Sequence, residues 1–132
     1  MNEQKLILLV EDDRVDAMTV KRALKEINVT NPMHVARNGV EALEFLRDPT
    51  NPQPAIILLD LNMPRMNGIE LVRQARQDPR FVELPVIIVS YKDRDEDRLL
   101  GLEVGANSYL TKGSFHDDSF VNTVADLIGD VE

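Results

Sequence analysis

Five short apolar runs alternate with stretches in which apolar residues recur at helical spacing. The runs are Leu6-Ile7-Leu8-Leu9-Val10, Met33-His34-Val35-Ala36, Ala55-Ile56-Ile57-Leu58-Leu59, Pro85-Val86-Ile87-Ile88-Val89 and Ser108-Tyr109-Leu110-Thr111. Short β-rich runs that are apolar on consecutive positions read as strands buried on both faces of a sheet. Between them Ala17, Val20, Ala23, Leu24 and Ile27 give one helical face from about Val15 to Ile27. Val40, Ala42, Leu43 and Leu46 predict a short second helix, and Ile69, Leu71, Val72 and Ala75 a third. Leu99, Leu100, Leu102 and Val104 predict a fourth that stops at Gly105, and a fifth runs from about Asp117 to Ile128, stopping at Gly129. Pro49, Pro52 and Pro54 mark a loop, Pro64 to Gly68 a turn, and Asp78-Pro79 the end of the third helix, since proline cannot continue one.

Five strands alternating with five helices through short connections predict an α/β fold, a doubly wound (βα)5 sandwich around a five-stranded parallel sheet. The 132 residues fit a single domain, residues 1–132, with no internal repeat and no linker to a second unit.

In such a sheet the carboxyl ends of the strands share one edge, and ligands bind there. Glu11 and Asp12 close the first run, Asp60 the third and Ser90 the fourth, and Lys112 follows the fifth. Three carboxylates this close cannot all stay ionised unless a cation joins them or a pKa rises. A hard divalent ion such as Mg²⁺ fits, because it takes a few carboxylates and keeps waters and phosphate oxygens. Metal, ammonium and hydroxyl around one carboxylate form an electrostatic cradle for a transferring phosphoryl group. The carboxylate itself can be the nucleophile, forming an acyl phosphate.

The formal charge of −8 argues against a nucleic-acid backbone as a direct partner. The absence of cysteine removes disulfides, thiolate zinc sites and cysteine nucleophiles. With no membrane-length apolar stretch and no signal-peptide layout, a soluble cytoplasmic protein without membrane contact is expected.

Glu11-Asp12, Asp60-Leu61-Asn62-Met63-Pro64 with Gly68, Ser90, and Tyr109-Leu110-Thr111-Lys112 resemble, in order and spacing, the receiver domains of two-component response regulators. The resemblance covers essentially the whole chain. It implies a flavodoxin-like fold and Mg²⁺-dependent acceptance of a phosphoryl group on Asp60 from a sensor histidine kinase. It also implies that Asp12, Asp60 and the main-chain carbonyl of Asn62 hold the metal, with Glu11 acting through water. Ser90 and Lys112 would contact the phosphoryl oxygens. Tyr109 matches the aromatic switch that turns inward as the Ser90 hydroxyl moves, which changes the face made by the fourth helix, fifth strand and fifth helix. Asn62 and Lys92 stand where the family tunes phosphoryl loss. The protein would act by docking to a partner or as a phosphate sink, as a monomer or a phosphorylation-dependent homodimer. It would not be an enzyme in the turnover sense, because the acceptor is consumed until the acyl phosphate hydrolyses.

The chain departs from that pattern at Gly113, where receivers usually carry a proline after a cis peptide. Without proline a cis bond costs several kcal/mol, roughly 3. Thr111-Lys112-Gly113-Ser114-Phe115-His116-Asp117 and Ser90-Tyr91-Lys92-Asp93-Arg94 resemble receivers fused to chemotaxis-type kinases. Leu8 to Asp13, Ala36 to Leu43 and Leu59 to Pro64 resemble stand-alone receivers serving phytochrome-like kinases. Two accents meeting near Ser90 raise the alternative of an engineered or recombined chimera, whose kinase partner and output face would descend from different parents.

Plainer readings exist for each residue taken alone: Asp60 as a helix cap, Glu11-Asp12-Asp13 as a solvated loop, Lys112 as a surface lysine, Tyr109 as packing. Their shared register promotes them. Asp13 is expected to start a helix, and His34 and His116 to be structural or solvent-facing. Met63 and Met66 read as loop packing. Asp93 to Arg98 reads as the charged start of a helix with acids favoured by the dipole. Two further functions compete. An aspartyl-nucleophile phosphatase would need an acid and a threonine where Asn62 and Pro64 stand. A pseudo-receiver scaffold would be marked by loss of acidic residues that are all present.

Overall fold

The computed structural model describes residues 6–26, 31–59, 68–90 and 95–111. In chain order these form β1 (Ile7–Val10), α1 (Arg14–Glu26), β2 (Met33–Ala36), α2 (Gly39–Arg47), β3 (Ile56–Leu59), α3 (Gly68–Gln77), β4 (Val86–Ser90), α4 (Asp95–Glu103) and β5 (Ser108–Thr111). The expected fifth helix lies outside the described residues.

All four strand pairings are parallel, and the order is β2-β1-β3-β4-β5. The chain winds from β1 outward to β2, then crosses back to β3 and on to β5. The winding reverses between β1 and β3, and the carboxyl ends of the strands at such a point are the usual ligand position in sheets of this kind.

Strand side chains alternate between two cores. Ile7, Leu9, Ile56, Leu58, Ile87 and Val89 meet Ala17, Val20, Ala23 and Leu24 of α1. Leu8, Val10, Ile57, Leu59, Val86 and Ile88 meet Ala42, Leu43 and Leu46 of α2 and Leu71, Val72 and Ala75 of α3. Burial on both faces is why the strands read as continuous apolar runs. Each large aliphatic side chain buried here contributes about 1.5–3 kcal/mol, so the sheet interior dominates the stability.

The helices start where side chains cap them. Asp13 Oδ1 accepts from the amides of Val15 (2.8 Å) and Asp16 (3.1 Å), satisfying donors that α1 leaves open. Asn38 Oδ1 accepts from the Glu41 amide (2.9 Å), and Glu41 Oε1 accepts from the Arg37 amide (2.9 Å), a reciprocal arrangement like a capping box. Asp13 is thus the helix-start residue its position suggested.

On α4 the leucines do not supply the core contact. Leu99, Leu100 and Leu102 are exposed by 64%, 43% and 42%, and the inward contacts come from Gly101 and, just after the helix, from Val104 and Ala106. A helix this close to the sheet needs a residue without a Cβ at the contact, and Gly101 provides it. Among the described residues no helix is long and apolar enough to cross a membrane.

Candidate functional site

The sheet register sets the carboxyl ends side by side. Val10 pairs with Ala36 on one side and Leu59 on the other, Leu59 pairs with Ile88, and Ser90 pairs with Thr111. Glu11 directly after β1 and Ser90 at the end of β4 therefore stand at one edge, where Leu59 and Thr111, the residues before Asp60 and Lys112 in the sequence, also end their strands. Asp60, Asn62 and Lys112 themselves lie outside the described residues, as do Met63, Met66, Lys92, Gly113 and His116.

Glu11 is 3% exposed, one of two buried polar residues among those described. Its amide donates to the Ala36 carbonyl (2.9 Å), which extends the β1–β2 ladder by one residue and fixes the backbone there. Its Oε2 accepts from the Asp13 amide at 3.3 Å. A carboxylate taken this far from water must be held by hydrogen bonds or a cation. Asp12, next in the chain, is exposed. Together with Arg14, Lys21 and Arg37 the two acids line an open cavity of about 500 Å³ beside the end of β1. Hard oxygen donors at a cavity mouth suit Mg²⁺ or a similar ion. No group of three metal-binding side chains occurs among the described residues, so Glu11 and Asp12 fit such an ion only with a further oxygen ligand, the role expected of Asp60.

Tyr109 is 4% exposed and lies against Gly101 and Ile88. The Arg98 guanidinium stands over its ring, 5.3 Å from the centroid, and donates to its main-chain carbonyl at 3.1 Å. Arg98 had no signal of its own in the sequence, where it sits in a charged run. His34 faces solvent on β2 and stacks on Phe45 at 4.3 Å, which agrees with a structural histidine.

The family model for the response regulator receiver domain matches residues 7–125. Response regulator Rcp1 of Synechocystis sp. is 33% identical over 123 residues, covering 90% of this chain and 84% of Rcp1. The crystal structure of the Mn²⁺-bound form of Rcp1 superposes with a TM-score of 0.78 at 30% identity over 92% of each chain. The phosphorylated cyanobacterial phytochrome response regulator RcpA gives 0.81 at 29% identity, covering 93% of this chain and 92% of RcpA. The sensor histidine kinase CheAY of Helicobacter pylori is 33% identical over 107 residues, 81% of this chain but 13% of that protein.

Proposed function

The chain belongs to the response regulator receiver domain family, and on that premise we propose that it accepts a phosphoryl group on Asp60 and switches a partner-binding face in response. The observation that carries this reading is the parallel register that brings the ends of β1, β3, β4 and β5 to one edge beside the buried Glu11.

An Asp60 carboxylate oxygen attacks the phosphorus of the donor as the donor's P–N bond breaks, or its P–O bond in an acyl phosphate. The electron pair and any proton leave with the donor group, and an acyl phosphate remains on Asp60. Asp12, Asp60 and the Asn62 carbonyl would hold Mg²⁺, with Glu11 orienting a water on it, and the ion would neutralise charge on the transferring oxygens. Lys112 and the Ser90 hydroxyl would contact those oxygens from the other side of the edge. RcpA is a phytochrome response regulator and carries phosphate in its structure. The Rcp1 structure holds Mn²⁺, an ion with Mg²⁺-like preference for oxygen ligands. These support a sensor histidine kinase, phytochrome-like or chemotaxis-type, as phosphodonor, and a divalent ion as cofactor. Output would pass through α4, β5 and the expected fifth helix, or the chain would drain phosphate from its kinase.

Intact-mass measurement after incubation with Mg²⁺ and acetyl phosphate tests the reading. One added phosphoryl group, lost in Asp60→Asn and in chelator, is expected. No gain, together with no Mg²⁺ binding, would overturn it in favour of a protein-binding scaffold.

A further inference from the structure

The Tyr109 ring is enclosed by residues of two other elements. A Cβ placed on Gly101 of α4 would come within 3.2 Å of Tyr109 Cδ2 and 2.7 Å of Ile88 Cδ1, so ring, helix and strand already touch. One turn earlier on α4, Arg98 places its guanidinium carbon 5.3 Å from the ring centroid. Its Nη1 also donates to the Tyr109 carbonyl at 3.1 Å, which fixes the guanidinium where the ring quadrupole attracts it.

These two contacts respond differently to ring rotation. The carbonyl belongs to the β5 main chain and stays in place whichever way the ring points. The ring contact exists only while the ring is turned in beneath α4. Arg98 therefore interacts unequally with the two ring positions, which is the condition for shifting a two-state equilibrium.

We propose that Arg98 is a positioning residue that holds Tyr109 turned inward, coupling α4 to β5 and biasing the unphosphorylated chain toward its switched conformation. The consequence for phosphoryl uptake rests on the function proposed above, whereas the ring contact stands on its own geometry. A cation–π contact at a partly buried site sets an inward preference of about three- to thirtyfold.

The test uses the full chain with ¹³C-labelled tyrosine rings, without metal or phosphodonor. The sequence has two tyrosines, and Tyr91→Phe assigns the Tyr109 signals. Strong cross-peaks from the Tyr109 ring to the Ile88 δ-methyl and the Gly101 α-protons are expected in the wild type. They should weaken in Arg98→Met, which keeps the aliphatic stem, and recover in part in Arg98→Lys, which restores the charge without the planar fork. Cross-peaks of wild-type strength in Arg98→Met would overturn the proposal. In Mg²⁺ and acetyl phosphate, Arg98→Met should take up the phosphoryl group about three- to thirtyfold more slowly, and equal rates would refute the bias. A wild-type chain that takes up none would sink the proposed function, while the cross-peaks still decide the role of Arg98.

Discussion

Arg76 donates twice to the carbonyl of Gly105, from Nε at 3.0 Å and from Nη2 at 2.8 Å. Its Nη1 donates to the carbonyls of Phe81 (2.8 Å) and Leu84 (2.7 Å), and Nη2 also reaches Asn107 Oδ1 (3.1 Å). Asn107 Oδ1 in turn accepts from the Val86 amide at 2.8 Å. One side chain on α3 thus ties the turn before β4 to the turn before β5, at the edge of the sheet opposite the candidate site. Every one of these acceptors is neutral. Burial lowers the Arg76 pKa, yet a guanidinium stays charged in any protein, so the clamp holds at all ordinary pH values.

Removing that clamp should destabilise the fold without touching phosphoryl chemistry. Arg76→Met leaves several carbonyls without their donor, at a cost of about 2–4 kcal/mol. Gly105→Ala meets two obstacles: φ is +121°, and the new Cβ would stand 2.9 Å from Arg76 Cγ. About 1–3 kcal/mol is expected there. Urea unfolding should show lower midpoints with unchanged slopes, and Mg²⁺-dependent mass gain should persist under native conditions. An unchanged midpoint in Arg76→Met would show that water replaces the guanidinium without loss.

Acid should weaken the fold partly through Asp78. Hydrogen bonds from the Arg80 side chain, and then from its main-chain amide, pull the Asp78 pKa from 3.8 down to about 2. A carboxyl that is more acidic when folded stabilises the fold above its unfolded value and loses that contribution as pH falls through its folded one. Between pH 3.8 and about 2 the wild type should therefore lose stability more steeply than Asp78→Asn. Parallel slopes in urea midpoints across that window would show that the Arg80 contact does not survive in solution.

The strands were legible because a parallel sheet buries both faces. Ile56 to Leu59 and Val86 to Val89 each read as an uninterrupted apolar run and lie where that reading put them. The common edge followed from strand polarity alone, which is how residues scattered over a hundred positions were grouped before any register was known. The pairing order was not legible, since the runs resemble one another too closely to specify neighbours. The facing of α4 was not legible either: its leucines suggested a core stripe, but the close approach at Gly101 turns Leu99 and Leu102 outward. Arg76 and Arg98 were missed for a related reason. The partners of Arg76 lie 5 to 31 residues along the chain and that of Arg98 lies 11 away, and no local pattern announces a guanidinium that binds main-chain carbonyls.

Glu11 offers the sharpest test of the metal reading, because its carboxylate is buried while that of its neighbour Asp12 is exposed. If Glu11 orients a water on the ion and does not ligate it, Glu11→Gln keeps the shape and the Asp13 amide contact but removes the charge. Loss of an outer-shell partner of this kind weakens metal affinity by about 10–100-fold. Asp12→Asn, at the position proposed as a direct ligand, should weaken it further. Calorimetric titration with Mg²⁺ measures both, and the chain's lack of tryptophan rules out the simpler route of indole fluorescence. Wild-type affinity in Glu11→Gln would reduce Glu11 to a structural acid that secures the turn into α1. Equal losses in the two variants would promote it to a direct ligand.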